Sequence, residues 1–297
     1  MGFEAIMVEV PCPICGHSDV TRLSSRGQYN DPANAVLCTH DGFVYLSPRM
    51  DAAGYAAYYT QSYEEEYRVE QGDAAIRPIY GLVVDRLAPH LSDAPTTALS
   101  VGAGLGSILH LLKARHPTLA CAAIEPTPGA QRHLREVKGF DVVAGDIESN
   151  WDVGREGHYD VIIMRHVLEH LLDIESALDR IRTSLSEDGV AYIAVPDMMH
   201  PNGSLRHYWY RTPHVSYFAA QTLRHFLARS GLEVLDMVEE GHEIWCVVRK
   251  GEHGTHDVPA SHASEQMSVI RKHVRSTAIP HAIQRLRWAV GRRLGRG

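Results

Sequence analysis

Several features that are common in other classes of protein are missing from this sequence of 297 residues. It has no run of about 18 apolar residues and no signal-peptide pattern, so we expect a water-soluble, cytoplasmic protein. It has no excess of basic residues, because its formal net charge is −7, and we expect no nucleic-acid partner, sequence-specific or otherwise. Its five cysteines do not form a disulfide framework, which fits a reducing compartment.

The sequence also lacks the G-x-G-x-x-G pattern of a dinucleotide-binding loop. It has a G-x-G-x-G loop instead, at residues 102–106, between a predicted strand at 98–101 and an apolar helical pattern. Glycines let the chain turn sharply and let a ligand approach the main chain, and the start of the next helix offers unpaired N–H donors. Such a loop suits a ligand without a pyrophosphate, of which S-adenosylmethionine is the commonest; the alternative is a tight turn alone.

Strands and helices alternate regularly from residue 79 to residue 250. Strands are predicted at 98–101, 120–124, 141–144, 159–164 and 190–195, followed by a hairpin of 233–238 and 243–249. Helices are predicted at 130–138, 174–185 and 222–230. This order predicts an α/β domain with a doubly wound, mainly parallel sheet, which binds ligands at the carboxyl ends of its strands.

Two acidic residues stand at such strand ends. Glu125 follows the second strand, nineteen residues after Gly106, where a carboxylate can accept both ribose hydroxyls of a nucleoside. Asp146 follows the third strand, where it can accept the adenine amino group while Ile147 packs on the ring. Each acid alone is an ordinary surface residue. Their coincidence with the glycine loop predicts a nucleoside site.

Residues 1–50 carry cysteines at the spacing of a zinc ribbon. Cys12 and Cys15 form a C-x-x-C-G knuckle, and Cys38 begins a second half-knuckle. The position of the fourth cysteine holds Asp41 with His40 beside it, and either side chain can ligate zinc. We expect a closed structural zinc site here; the alternative is a degenerate ribbon whose cysteines pack as small apolar groups.

His166, Glu169 and His170 come directly after the fourth strand, at positions i, i+3 and i+4. We expect them on one face of a helix that looks into the cleft. Three interpretations fit the string: a structural helix start, a general base at His166 or His170, or a divalent-metal motif of the H-x-x-E-H kind. Histidine suits the base because its ordinary pKa lies near neutrality.

A long insertion, 196–213, follows the fifth strand and ends beside His214, which is a third candidate for the base. The insertion also contains His200, and its aromatic residues, Tyr208, Trp209 and Tyr210, stand among arginines. Aromatic rings with arginines over a cleft suit a sugar ring or an anionic group. We therefore expect these aromatic residues to face the acceptor.

The segments on either side of this domain are less regular. Residues 51–78, rich in tyrosine and glutamate, are predicted to form a linker and helical cap that either lines the pocket or packs on the domain. Residues 251–297 begin with a polar linker, 251–264, and end in a basic amphipathic helix beyond Pro280. That helix can contact an anionic membrane surface, a glycan or a partner subunit in a homodimer, or it packs on the chain's own acidic domain.

On these residues the chain resembles the class I S-adenosylmethionine-dependent methyltransferases over roughly residues 80–250. The shared motifs are the glycine loop, Glu125, Gly145-Asp146, residues 159–162 and the string 166–171. That string, together with residues 214–218, resembles the subgroup that contains ubiquinone-type O-methyltransferases and sugar methyltransferases. The cysteine module resembles the N-terminal zinc ribbon of some bacterial sugar C-methyltransferases.

The resemblance implies a Rossmann-like, seven-stranded sheet and methyl transfer from a sulfonium. In the ubiquinone-type relatives it implies a divalent cation, magnesium, at an acidic version of the histidine string. The residues implied to bind the cofactor are Gly102, Ala103, Gly104, Gly106, Glu125, Pro126, Asp146, Ile147 and Arg165. The chain departs from the family pattern at Ser100, where relatives usually have an acid, and in its missing fourth cysteine.

We therefore expect an S-adenosylmethionine-dependent methyltransferase that O-methylates a hydroxyl of a sugar or glycan-linked small molecule. The candidate general bases are His166, His170 and His214. The alternatives are C- or N-methylation in a natural-product or cofactor pathway, and a catalytically silent assembly domain.

Overall fold

A computed structural model describes residues 6–61 and 78–293, without the side chains of 59–61 and 278–293. The strands are β1 (Met7–Val8), β2 (Val20–Arg22), β3 (Ala35–Cys38), β4 (Val44–Leu46), β5 (Arg49–Met50), β6 (Thr97–Val101), β7 (Ala120–Ile124), β8 (Asp141–Ala144), β9 (Tyr159–Arg165), β10 (Leu185–Pro196), β11 (Ser216–Tyr217), β12 (Leu232–Glu240) and β13 (Glu243–Lys250). The helices are α1 (Ala52–Gln61), α2 (Pro78–Leu87), α3 (Ser107–Arg115), α4 (Pro128–Glu136), α5 (Ile174–Ser184), α6 (Ala220–Arg229) and α7 (His262–Arg293). Most of the predicted linker at 51–78 lies outside the described residues.

Seven strands form one sheet in the order β12-β13-β10-β9-β6-β7-β8. β13 runs antiparallel to its neighbours β10 and β12, and the remaining pairs are parallel. The central strand β9 is apolar on both faces, and its residues 161–164 are at most 1% exposed, as a covered parallel strand requires. The predicted seven-stranded α/β sheet is confirmed. Its parallel strands bring residues 102–106, 125, 146 and 166 to one edge.

The N-terminal segment does not stand apart from the rest of the chain. β11, which follows the long insertion, pairs antiparallel with β4 and completes a four-stranded sheet in the order β11-β4-β3-β2. Phe43 packs edge-on against Phe218 and Phe226, with ring centroids 5.7 and 5.5 Å away. The cysteine module and the segment that carries His214 are therefore joined by a shared sheet and a shared core.

The insertion is packed differently from the sequence-based expectation. Trp209 and Tyr210 are 8% and 2% exposed and pack in a core cluster with Leu46 and Tyr217, whereas Tyr208 is 49% exposed. The prediction that all three aromatic residues face the acceptor is therefore wrong for Trp209 and Tyr210. Apolar burial against the small sheet outweighs exposure of the two rings to a cleft.

Helix α7 begins at His262, inside the predicted polar linker 251–264, and continues through Pro280. The prediction that the helix starts beyond Pro280 is therefore wrong. His262, Gln266 and Ile270, at i, i+4 and i+8, are at most 4% exposed, and the Gln266 amide donates to the carbonyl of Met198 at 3.0 Å. This buried stripe fixes the start of the helix. No helix among the described residues is both long and apolar enough to cross a membrane.

Candidate functional site

The glycine loop connects β6 to α3 and has the left-handed backbone that its glycines permit. Gly102, Gly104 and Gly106 have φ angles of +66°, +54° and +73°. A Cβ at Gly102 would lie 2.4 Å from Cγ2 of Val167, whereas a Cβ at Gly104 would meet no atom within 4 Å. Gly104 is also exposed. The loop is closed against the core at Gly102 and open at Gly104, where a ligand can approach the main chain.

Gly102 and Gly104 make a matched pair for measuring how much the close contact with Val167 would cost a side chain at position 102. Gly102→Ala is expected to lower the free energy of unfolding by about 2–5 kcal/mol, since left-handed backbone costs about 1–2 kcal/mol and overpacking about 1–3 kcal/mol. Gly104→Ala has the same backbone strain without the clash, so a loss of about 1–2 kcal/mol is expected. Urea unfolding of both variants measures the difference. Equal losses would contradict the close contact with Val167.

Glu125 is held at the carboxyl end of β7 by the loop that it faces. Its side chain accepts the N–H of Gly104 at 2.7 Å through Oε2 and the N–H of Thr127 at 2.9 Å through Oε1. The residue is 5% exposed. Two main-chain donors therefore fix the carboxylate plane, while each oxygen keeps a lone pair for a further donor. This is a suitable acceptor for a pair of ribose hydroxyls.

The other residues implied to bind the cofactor lie around this loop, with one exception. Ala103 and Pro126 are half-buried beside the glycines and Glu125, and Ile147 packs near Gly102. Asp146 is exposed at the end of β8, where it accepts the N–H of Glu148 at 2.9 Å. Arg165 instead points toward β13, where its guanidinium lies 2.6 Å from Oε2 of Glu243.

His166 sits between two carboxylates, at a backbone φ of +54°. Its Nε2 lies 2.8 Å from Glu243, and its Nδ1 lies 3.3 Å from Glu169. Burial disfavours the charged ring, but hydrogen bonds to Glu169 and Glu243 outweigh this cost and raise the pKa of His166 to about 9. At neutral pH His166 therefore carries a proton and is a poor proton acceptor.

His170 and His214 complete a group that we call the histidine cluster, which consists of His166, Glu169, His170, His214 and Glu243. Their rings pack edge to face with centroids 4.7 Å apart, and Nε2 of His170 lies 3.8 Å from Oε1 of Glu169. Burial lowers the pKa of His170, and burial together with His170 lowers the pKa of His214 well below its ordinary value. Both rings are therefore neutral at neutral pH, and a neutral ring can accept a proton.

The local conformation of this string differs from the prediction. A single 3₁₀ turn, Leu168–His170, follows β9, and His166 lies outside it with a left-handed backbone. The predicted α-helix that begins at His166 is therefore wrong. The side chains of His166, Glu169 and His170 still converge, because the carboxylate of Glu169 lies between the two rings. This carboxylate is buried, with 1% of the side chain exposed.

The cysteine cluster brings together four potential metal ligands from the two knuckles. Donor atoms of Cys12, Cys15, Cys38 and Asp41 all lie within 4.8 Å of one another. The Sγ atoms of Cys15 and Cys38 are 3.5 Å apart, and Sγ of Cys12 is 3.2 Å from the nearer Asp41 oxygen. His40 turns away to Asp19, with 3.1 Å between Nε2 and Oδ2. The donor set suits zinc, with Asp41 as the carboxylate.

One participant in the histidine cluster was missed by sequence reasoning. Glu243 opens β13, is 9% exposed, and contacts both Arg165 and His166. It lies 77 residues from His166, so no local spacing links the two. The pairing of β10 with β13 places Glu243 opposite Pro196, at the edge of the sheet that carries the cluster.

A glycine loop and a buried acid at the carboxyl ends of neighbouring parallel strands are the arrangement of class I S-adenosylmethionine-dependent methyltransferases. A family model described as a methyltransferase domain matches residues 74–237. This is more than half of the chain, and the protein therefore belongs to that methyltransferase family. It is an enzyme that uses S-adenosylmethionine.

Solved structures with a similar fold come from several organisms. The 1,6-didemethyltoxoflavin-N1-methyltransferase of Burkholderia thailandensis, solved with 1,6-didemethyltoxoflavin and S-adenosylhomocysteine, is 20% identical, and the match covers 71% of this chain and 96% of that chain with a TM-score of 0.52. A methyltransferase dependent on S-adenosylmethionine from Aquifex aeolicus is 15% identical, with coverages of 56% and 88% and a TM-score of 0.45. A search of curated proteins gives no match. The first of these likenesses supports the fold.

Proposed function

We propose that this methyltransferase O-methylates a hydroxyl of a sugar or glycan-linked small molecule, with a histidine as general base. The observation that supports this proposal is the pair of half-buried, neutral rings, His170 and His214, at the same sheet edge as the glycine loop. The preference for a saccharide rests on the resemblance to sugar methyltransferases. Tyr208, exposed on the insertion, is the aromatic residue still available to a sugar ring.

Transfer to a hydroxyl breaks the sulfonium S–CH₃ bond and forms an O–CH₃ bond, while the hydroxyl proton passes to a base. Either His214 or His170 accepts this proton in the proposal, because both rings are neutral at neutral pH. His166 is a positioning residue. Its imidazolium bridges Glu169 and Glu243 and so holds the Glu169 carboxylate beside His170.

A second candidate for the same site is a divalent cation, magnesium, that activates the hydroxyl. One observation favours it: Oε2 of Glu169 is buried without a hydrogen-bond partner among the described residues. Donor atoms of Glu169, His170 and His214 lie within 4.8 Å of one another. In this version the cation supplies charge to lower the pKa of the hydroxyl, and the three side chains hold the cation.

The histidine-base proposal predicts a separation of binding from turnover. His214→Ala and His170→Ala are each expected to lower turnover about 10²- to 10⁴-fold, because general-base catalysis contributes that much. Affinity for S-adenosylhomocysteine should stay unchanged, since these rings cluster with Glu169, whereas the cofactor is expected at the glycine loop and Glu125. Transfer of labelled methyl groups to a panel of nucleotide sugars and glycosides measures turnover, and calorimetry measures affinity.

His253→Ala is the control, because His253 is exposed and bonds to the carbonyl of Arg229 in another part of the chain. Full turnover in both cluster variants would refute the histidine base. Activity that is lost with a chelator and restored by magnesium would favour the cation. NMR of the product places the methyl group on oxygen, carbon or nitrogen, which separates O-methylation from its alternatives. Wild-type protein that binds cofactor and methylates nothing would favour an assembly role.

We also propose that the cysteine cluster holds a structural zinc ion. The proposal is supported by the set of three sulfur donors and one carboxylate. Two of the three cysteines, Cys12 and Cys38, are buried. Tight turns at Gly16 and Gly42, with φ angles of +73° and +76°, follow Cys15 and Asp41. A closed site of this kind has no open position for substrate, so its role is to stabilise the fold.

A further inference from the structure

We propose a second, solvent-open divalent-metal site at the far end of the sheet edge, formed by Asp197, His200 and Glu239. Asp197 follows the last residue of β10, His200 lies three residues later on the insertion, and Glu239 lies near the end of β12. Donor atoms of these three side chains lie within 4.8 Å of one another. The cluster shares no residue with the histidine cluster or the cysteine cluster, and it does not depend on the proposed methyl acceptor.

The donor atoms converge on one small volume. Nδ1 of His200 lies 2.6 Å from Oδ2 of Asp197 and 3.7 Å from Oε2 of Glu239. A cation at about 2.1 Å from each donor separates neighbouring donors by roughly 3.0–3.5 Å, which is intermediate between the two observed distances. Small rotations of the exposed His200 and Glu239 side chains are therefore enough to seat a cation.

The main chain holds the two ends of this cluster in place. The N–H of Asp197 donates to the carbonyl of His242 at 2.9 Å, and Nδ1 of His242 lies 2.7 Å from the carbonyl of His200. Met198 is fixed on its other side, since its N–H donates to the carbonyl of Phe218 at 2.7 Å. The main chain that carries Asp197 and His200 is therefore ordered before a metal binds.

Burial and charge also favour a cation. Asp197 is 1% exposed, and its carboxylate and that of Glu239 both approach the same nitrogen, Nδ1, of a single imidazole. Two negative charges against one ring leave an excess that a dication neutralises when it displaces the ring proton. The side chains of His200 and Glu239 are 59% and 42% exposed, so water and substrate can reach the site.

A site with one imidazole and two carboxylates suits Mn²⁺, Co²⁺ or Zn²⁺. These metals bind such a mixed set of ligands better than a set made only of oxygen atoms. Three protein ligands leave coordination positions open, and those positions take oxygen ligands such as water, phosphate or carboxylate. Two of the three ligands, Asp197 and His200, lie on the insertion 196–213, and the third lies on β12. The ligand class that the site would recognise is therefore an anionic oxygen group.

The test is a titration of the full chain with Mn²⁺, with zinc left on its cysteines. Binding is measured as the loss of the free Mn²⁺ signal in electron paramagnetic resonance. Wild type is expected to bind one Mn²⁺ per chain at this cluster. His200→Ala should weaken that binding at least about 10-fold, and Glu239→Gln should weaken it by a smaller factor. The titration is repeated with Co²⁺. Co²⁺ bound at this cluster should give absorption bands without thiolate-to-metal charge transfer, because none of the three ligands is a cysteine.

Two further variants separate this site from its alternatives. Glu233→Gln removes an exposed carboxylate from the same strand, one already paired with Arg249, and should leave Mn²⁺ binding unchanged. Glu169→Gln removes a ligand of the histidine cluster and should leave the Mn²⁺ that depends on His200 unchanged, whether or not the histidine cluster binds a Mn²⁺ of its own. Wild-type affinity in folded His200→Ala, loss of the His200-dependent Mn²⁺ in Glu169→Gln, or the absence of binding with both metals would overturn the proposal.

Discussion

Glu125→Ala is expected to reduce affinity for S-adenosylhomocysteine by about 10²- to 10⁴-fold. A buried carboxylate that accepts two ribose hydroxyls makes two charge-assisted hydrogen bonds, each contributing about 1.5–3 kcal/mol. The variant also removes the acceptor that fixes the N–H of Gly104, so the open part of the glycine loop loses an anchor. Calorimetric titration of wild type and variant measures the difference.

Matched variants decide how that loss is interpreted. Glu125→Gln keeps the shape of the side chain and one acceptor oxygen, so an intermediate loss of affinity is expected. Asp146→Asn, at an exposed carboxylate, should cost less than either, because its single contact is more accessible to water. A folded Glu125→Ala protein with wild-type affinity would contradict the assignment of the ribose site and would leave the glycine loop as an architectural turn.

Local patterns were sufficient to predict the elements that build the cofactor side of the site. Both β7 and β8 have the predicted bounds, 120–124 and 141–144, because each is a short apolar run bounded by polar or turn residues. The glycine loop could be predicted for the same reason, since three glycines within five residues leave few other conformations. Glu125 followed from its position directly after β7.

The acceptor side depends on contacts that no local pattern contains. His166 takes a left-handed backbone after β9, and the carboxylate that it contacts, Glu243, arrives from a hairpin strand at the edge of the sheet. β11 is two residues long and is stabilised by its pairing with β4, more than 150 residues earlier in the chain. Neither the conformation of His166 nor the strand β11 could be derived from propensity, because tertiary pairing determines both.

These long-range contacts connect the cysteine cluster to the histidine cluster. Cys38 ends β3, β3 pairs with β4, and β4 pairs with β11 two residues beyond His214. The ring of His214 also lies 6.2 Å, between centroids, from Tyr217 on β11. We therefore expect a change in the cysteine cluster to affect the proposed base through these paired strands.

Cys38→Ser is expected to release the proposed zinc ion and to lower the free energy of unfolding by about 3 kcal/mol or more, which corresponds to roughly 5–10 °C in Tm. Sγ of Cys38 lies 3.5 Å from Sγ of Cys15, and its backbone carbonyl accepts the N–H of Gly42, so the residue belongs to both the donor set and its turn. Metal analysis measures bound zinc, and thermal unfolding measures the loss of stability. Turnover should fall with zinc content, because β4 and β11 carry the disturbance to His214.

Cys121→Ser is the control. Cys121 is a buried cysteine on β7, in a core cluster separate from the one that contains Cys12 and Cys38. The Cys121→Ser variant should retain zinc. Its loss of stability should be smaller than that of Cys38→Ser, because the only cost is the burial of one hydroxyl. If wild type contains no zinc after purification with the metal present, and Cys38→Ser unfolds no earlier than Cys121→Ser, the cysteines pack as apolar groups. The cluster would then stabilise the loop of His214 by burial alone, and chelators would leave turnover unchanged.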